Sequence, residues 1–351
     1  MLKGAIIGFG KIAQSSHIKA FFSDELKNKA EITSVVEPVK ENRKEGEKKF
    51  PSLKFYASTS ELFSNEKIDF IDITAPPKFH ASLIKEGIKN NVNILCEKPF
   101  TLTLDEAEET YKLLKEGSVV FMPCHQYRYS PTWKNFKTFL SENDPASKSL
   151  LQFNIFRMQA DPGGTAFQPE WRTDKSLSGG GVLADSGVHY LYLLNWMCGK
   201  PLSVTAKTFT LNHTEYSVED TAVVFLEFEK AFAGITLTWG ADRRVNTARA
   251  VSNKGSLSYD GSTQLRKYFN GQEEIIAVPD ASDKSHYFSL YISLINDFVN
   301  TIQNKESSSV DGEDFSKSKL TAVQEALTSI RLLQKCYESA QSKKTIFFAD
   351  E

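Results

Sequence analysis

The sequence is poor in cysteine, carries no long apolar run and has almost no excess of charge of either sign. Its four cysteines, Cys96, Cys124, Cys198 and Cys336, stand far apart with no C-x-x-C pair. That spacing argues against a structural zinc site and a disulfide framework, and it fits a reducing compartment. No stretch approaches the roughly 18 uninterrupted apolar residues that a membrane span needs. The opening M-L-K-G-A-I-I-G enters an apolar strand with no basic n-region, long h-region or small-residue cleavage site. A cytoplasmic location without a membrane partner is therefore expected. The 42 basic and 44 acidic side chains leave a net charge of -2, too little to grip nucleic acid or an anionic surface through a whole-protein field.

What is present is globular: 40% hydrophobic and 25% charged residues leave no signature of disorder. At 351 residues the chain exceeds what one core usually serves, so two domains are expected, divided as 1–125 and 126–351. The first stretch alternates short β-rich runs (2–7, 31–37, 68–74, 92–96 and 119–122) with amphipathic segments at 11–22, 79–90 and 104–115. This is the texture of βαβ units and a parallel sheet. Thr103 and Glu106 are spaced to form a capping box at the start of the last of these segments. After Arg128 long alternating runs follow one another at 151–160, 220–229 and 233–239, predicting a large, mostly antiparallel open sheet. Helical patterns at 287–302 and 319–339 would cover one face of that sheet. The fold class expected is thus an N-terminal Rossmann α/β domain followed by an α+β domain. There is no internal repeat, and the linker-like stretches are 141–149 and 304–314.

The segment G-F-G-K-I-A (Gly8, Phe9, Gly10, Lys11, Ile12, Ala13) follows the first strand at once and opens the first helix. This is the context in which G-x-G-x-x-[GA] binds a dinucleotide. Gly8 allows a tight turn, Gly10 leaves room for the pyrophosphate, Ala13 lets the helix pack closely, and the helix N-terminus faces the phosphates. Glu37 ends the second predicted strand, where an acidic side chain accepts hydrogen bonds from the adenosine ribose. This favours NAD. Lys40, Arg43 and Lys44 just downstream could instead hold a 2′-phosphate, so NADP stays open.

C-E-K-P (96–99) lies at the end of a strand, where open parallel sheets place their ligands. With the glycine loop it resembles the E-K-P motif of the Gfo/Idh/MocA (glucose-fructose oxidoreductase/inositol dehydrogenase) family. A-P-P-K-F-H (75–80) resembles that family's T-P-x-x-x-H loop, and Q-Y-R-Y-S-P (126–131) its N-x-R-[FY]-x-P crossing. The segment 171–191 matches G-G-G-x-x-x-D-x-G-x-H, and V-D-G-E-D (310–314) with S-A-Q-S-K-K (339–344) resembles the closing segments. Ala75 stands where threonine is usual and Gln126 where asparagine is.

The resemblance implies that Lys98, Asp185 and His189 form the catalytic group, with a cis peptide bond often found between the lysine and its proline. It also implies that Ala75, Pro76, His80, Glu97 and Lys98 line the cofactor. Chemistry agrees, since hydride transfer at a carbinol carbon requires a proton to move on the oxygen, and histidine titrates in the right range. Asp185 and His189, four apart, would share one helix face. Tyr127, Arg128, Trp171 and Arg172 are further substrate-contact candidates beside Lys98, Asp185 and His189. No metal is expected, because Asp185 and His189 fall short of a zinc set, and His17, His125, His213 and His286 have no clustered partners in sequence.

The leading expectation is NAD(P)-dependent oxidation or reduction at a secondary alcohol or ketone of a sugar, cyclitol or sugar derivative. An NAD-dependent glycosidase working by transient oxidation and elimination, or a non-catalytic nucleotide sensor, would use the same scaffold. The resemblance further implies a homodimer or homotetramer formed through the second-domain sheet.

Overall fold

The computed structural model describes residues 1–142, 147–158, 171–280, 287–306 and 315–348. Residues 143–146 and 307–314 of the two linker-like stretches, the end of the 151–160 run, His286 and the 310–314 segment lie outside the described residues. The described chain forms two compact units: Met1–Gln126 with Tyr287–Ile330, and the remainder from Tyr127 onward.

The first unit is built on a parallel sheet of β1 (Leu2–Ile7), β2 (Ala30–Val36), β3 (Lys54–Tyr56), β4 (Phe70–Ile73), β5 (Asn93–Cys96) and β6 (Phe121–Pro123). Their order in space is β3-β2-β1-β4-β5-β6, every neighbouring pair parallel. The order reverses between β1 and β4, which is where a doubly wound sheet opens a crevice for a dinucleotide. Strands such as F-I-D-I in β4 are buried on both faces because helices cover both sides. The Thr103–Glu106 capping box is formed: Glu106 N–H donates to Thr103 Oγ1 at 3.2 Å and Thr103 N–H to Glu106 Oε2 at 3.1 Å.

One expectation is corrected here. The helix Tyr287–Glu306 does not cover the second sheet; it packs in the first unit, against the helical segment that follows the glycine loop. Phe298 meets Phe70 of β4 edge-on at 5.6 Å. The helix Phe315–Ser342 divides: Val323, Ala326, Leu327 and Ile330 join the apolar cluster of the parallel sheet, whereas the part from Arg331 belongs to the second unit, where Ser339 Oγ accepts the Ala206 N–H at 2.9 Å. Amphipathic spacing shows that a face is buried, not against which sheet.

In the second unit, β7 (Ser149–Met158), β8 (Pro201–Phe209), β9 (Thr221–Phe228), β10 (Ala231–Thr238), β11 (Gly240–Ser252), β12 (Gly255–Tyr259), β13 (Gln264–Phe269), β14 (Gln272–Ala277) and β15 (Ile346–Phe347) form one sheet. Its order is β14-β13-β12-β11-β7-β10-β9-β8-β15. β7 and β10 pair in parallel and the other described neighbours are antiparallel. One face is core: Leu151, Phe153, Ile155, Val224, Ile235 and Leu237 are buried on the side of the helix Val188–Cys198. On the other face Leu150, Val223, Phe225 and Val251 stay exposed, as the strict alternation along each strand requires.

Candidate functional site

The glycine loop is shaped by its neighbours. Gly8 has φ +101°, and a Cβ there would lie 2.8 Å from the Ala75 nitrogen. Glycine is therefore required at the turn. Thr74 Oγ1 donates to the Gly8 carbonyl at 2.7 Å, tying the loop to the end of β4. A Cβ on Gly10 would meet nothing within 4 Å, so this backbone faces open space that a pyrophosphate can approach. Helical backbone runs on from 11, with a π turn at Ala13–His17, and Ala13 is fully buried against the sheet. Lys11 is exposed and Ile12 half-buried at the helix start. The Phe9 ring packs edge-on to Phe50 and Phe55 at 5.9 and 5.2 Å, so only its backbone serves the loop.

Glu37, just past β2, is buried and accepts the Phe9 N–H at 3.0 Å and the Val39 N–H at 2.9 Å. Its carboxylate thus braces the glycine loop from the end of the second strand. Arg43 donates to the carbonyls of Glu37 and Pro38 at 2.7 and 2.8 Å, closing the strand-end turn. These residues fit a dinucleotide: an open glycine backbone, a helix start and an acid at the end of the second strand.

Ala75 and Pro76 follow β4 and are half-buried. His80, assigned by resemblance to the cofactor, is fully buried, its two ring nitrogens each 2.8 Å from a main-chain carbonyl, those of Pro99 and Ala75. Its ring staples the 75–80 loop to the E-K-P turn. The Lys98–Pro99 bond is cis and Lys98 is half-buried. Glu97 faces inward: Oε1 takes bonds from His17 Nε2 and the Tyr291 hydroxyl, and Oε2 accepts the Lys98 N–H at 3.0 Å. His17 Nδ1 lies 2.7 Å from Asp72 Oδ2. Sequence spacing left His17 without company; its partners stand 55 and 80 residues away.

Burial alone would lower the His17 pKa, but Asp72 and Glu97 outweigh it and raise it from 6.5 to about 9. Burial works to raise Glu97, yet the His17 bond and charge bring it down to about 2. A histidine raised on folding stabilises the fold fully below its unfolded value of 6.5, and the contribution is lost as pH climbs through about 9. Its size is on the order of 3 kcal/mol, less an offset from Asp72, which burial pushes up. Thermal melts should therefore show Tm falling between pH 6.5 and 9.5, and His17→Gln should flatten that slope. A slope unchanged in the variant would exclude His17 as its source.

In the second unit the G-G-G turn is fixed by a residue the motif does not contain. Glu219 accepts the N–H groups of Gly181 and Leu183 through its carboxylate at 3.0 and 3.1 Å, and that of Val182 through its carbonyl at 3.0 Å. The Tyr337 hydroxyl donates to the same carboxylate at 2.8 Å. A Cβ on Gly181 would overlap the Glu219 carbonyl oxygen. From this anchor a π turn, Leu183–Gly187, leads into the helix Val188–Cys198. Such turns recur at functional sites.

Two groups of side chains come together there. The His189 ring is 7% exposed, stacks on Tyr127 at 4.3 Å, and has Nδ1 3.0 Å from the Tyr192 hydroxyl, which also accepts the Tyr127 N–H at 3.1 Å. Asp185 accepts from Arg172 Nε at 3.2 Å, and the guanidinium lies 4.3 Å from the Trp171 ring. Arg128 instead sits 5.6 Å from the Trp196 ring. Tyr192 and Glu219 escaped sequence reading; the (i, i+3) spacing of His189 and Tyr192 on one helix was a usable signal, the acid before β9 was not.

Residues 2–125 match the family model described as "Oxidoreductase family, NAD-binding Rossmann fold", and residues 149–258 that of the "GFO/IDH/MocA C-terminal domain". The chain belongs to the Gfo/Idh/MocA family. Among relatives, the uncharacterized oxidoreductase YrbE of Bacillus subtilis is 26% identical over 239 residues, 66% of this chain and 65% of that protein. The same organism's scyllo-inositol 2-dehydrogenase (NADP(+)) IolU is 24% identical over 263 residues, covering 72% and 76%. The chain thus spans just under two thirds of YrbE's length. A levoglucosan dehydrogenase solved with NADH and levoglucosan has the same fold, with TM-score 0.80 and 18% identity over 99% of both chains. Among the described residues no helix is long and apolar enough to cross a membrane, and all four cysteines are free thiols.

Proposed function

We propose that this Gfo/Idh/MocA chain is an NAD-dependent oxidoreductase acting on a secondary alcohol or ketone of a sugar, cyclitol or sugar derivative, in the cytoplasm. The observation that carries the reading is the His189 imidazole, held between Tyr127 and Tyr192 within the G-G-G-x-x-x-D-x-G-x-H segment. Bound NAD supplies the hydride acceptor. The chain's own residues handle the substrate oxygen: Lys98 provides a cation for developing negative charge, and His189 carries the proton. Asp185 with Arg172 and Trp171 offers a carboxylate, a guanidinium and an aromatic face, a set suited to hydroxyl-rich ligands. Relatives named for scyllo-inositol and levoglucosan support that substrate class. Substrate recognition is assigned to residues 126–351, which also pair into a homodimer or homotetramer through the exposed apolar face around Val223 and Phe225.

A panel of sugars, cyclitols and nucleotide sugars, monitored at the nicotinamide absorbance with NAD and NADP, tests this reading. Stoichiometric NADH is expected. Glycoside cleavage without net NADH would point to elimination chemistry, and dinucleotide binding without turnover to a sensor. NADH should also bind at least about tenfold tighter than NADPH, the outcome of placing a 2′-phosphate against a carboxylate. Glu37→Ala should narrow that preference and weaken both dinucleotides, because the carboxylate also holds the Phe9 N–H. Tighter NADPH binding by the wild type would move the reading to Lys40, Arg43 and Lys44.

A further inference from the structure

The proposed reaction leaves unused a polar cluster buried inside the first unit. His17, Asp72 and Tyr291 are fully buried, and Glu97 nearly so. The His17 ring lies 4.3 Å from that of Tyr291, whose hydroxyl accepts from Gln126 Nε2 at 3.0 Å. An imidazole flanked by a carboxylate on each nitrogen satisfies both contacts only when both nitrogens carry hydrogen. With both carboxyl groups ionised, the geometry therefore calls for the imidazolium at 2.7 Å from Asp72 and 3.1 Å from Glu97. Through its other oxygen Glu97 holds the main-chain N–H of Lys98.

We propose that His17, as a buried imidazolium, is a positioning residue for Lys98: it holds the Glu97 carboxylate, and Glu97 pins the backbone from which the lysine side chain departs. Its meaning for turnover rests on the oxidoreductase reading; the hold itself does not. The raised His17 and lowered Glu97 pKa values agree with it. The titratable groups bearing on the cluster are Asp72 from β4, His80 after it, Cys96, Glu97 and Lys98 around the end of β5, Cys124 after β6 and Tyr291 from the helix 287–306. Cys124 places its sulfur within 4.8 Å of the His17 and Glu97 ligand atoms, a set that a metal could use. The His17–Glu97 hydrogen bond closes the gap with a proton, and a metal in its place is one outcome of the test.

The test compares the full-length wild type with His17→Gln, Glu97→Gln and Tyr291→Phe. Hydrogen exchange at the Lys98 amide reads the hold, NADH fluorescence reads binding, and the best substrate of the panel reads turnover. His17→Gln and Glu97→Gln should each speed Lys98 exchange by about tenfold or more. NADH affinity should stay within about threefold, and kcat should fall roughly 10- to 100-fold with little change in KM. The double variant should be no worse than either single one. Ring-nitrogen NMR should show His17 as imidazolium at about pH 7.5. A folded His17→Gln with unchanged Lys98 exchange, or a neutral His17 ring, overturns the proposal, as does a stoichiometric metal in the purified chain that His17→Gln loses. If His17→Gln does not fold, Tyr291→Phe, which removes one hydroxyl, carries the test with exchange about threefold faster expected; unchanged exchange overturns it. A wild type that binds NADH and turns over no panel member, while Lys98 exchange still responds, would overturn the oxidoreductase reading and leave the hold standing.

Discussion

Lys98→Met should lower turnover by about 10³-fold while NADH affinity changes little. A lysine ammonium about 4 Å from a developing alkoxide contributes on the order of 4 kcal/mol at an effective dielectric near 20, and each 1.36 kcal/mol is about tenfold in rate. Methionine keeps the length and apolar stem of the side chain and removes the charge. The main-chain N–H that Glu97 accepts is untouched by the change. The glycine loop proposed to meet the dinucleotide is also intact, because its geometry depends on Gly8, Thr74 and Glu37. Parallel titration of NADH and steady-state kinetics on the panel substrate separate the two effects. A variant with near-normal kcat would remove Lys98 from the chemistry; one that fails to bind NADH would make it a cofactor anchor instead.

His189→Ala should cost about 10²- to 10⁴-fold in rate, the usual contribution of a positioned general acid or base, with the fold retained and NADH binding close to wild type. The structure refines how the ring would work. For Nε2 to take a proton in the oxidation direction, Nδ1 must keep its hydrogen and donate it to the Tyr192 hydroxyl oxygen 3.0 Å away. That oxygen is itself held by the Tyr127 N–H, so Tyr192 and Tyr127 together orient the imidazole. Tyr192→Phe should therefore lose roughly tenfold in kcat and keep the pH dependence, whereas His189→Ala should abolish the limb on which activity rises with pH. Rate profiles from pH 5 to 9 decide it. An alanine variant retaining both the rate and the limb would pass the role to Asp185 or Lys98.

What was legible in the sequence was local. The glycine loop, the Thr103–Glu106 box and the alternating strands of the second unit each declare themselves within about ten residues, because one turn or one strand sets the pattern. Ser58 and Glu61 carry the same S-x-x-E signal as Thr103 and Glu106: Ser58 Oγ accepts the Glu61 N–H at 3.2 Å, and the helix Thr59–Asn65 follows. That helix was readable and went unread. The helix Lys40–Lys49 was not readable, since K-E-N-R-K-E-G-E-K-K buries Gly46 alone and shows no apolar period. β3 has three residues, too few for alternation. In the site, motif spacing found Asp185 and His189 but not Tyr192, and it could not find His17 or Glu219, whose roles depend on partners 36 to 118 residues distant.

The late contribution of Tyr291 and of Val323 to Ile330 to the parallel-sheet unit bears on how this protein is made. A ribosome releases the six strands long before it polymerises those residues, so the nascent sheet waits, with an open apolar surface and an unfinished polar cluster, for some two hundred further residues. Contacts of such sequence separation slow folding, and they make the emerging chain a client for holding chaperones until the late helices arrive. A recombinant fragment cut after Gln126 should accordingly aggregate or bind a hydrophobic dye, although every dinucleotide-loop residue lies within it.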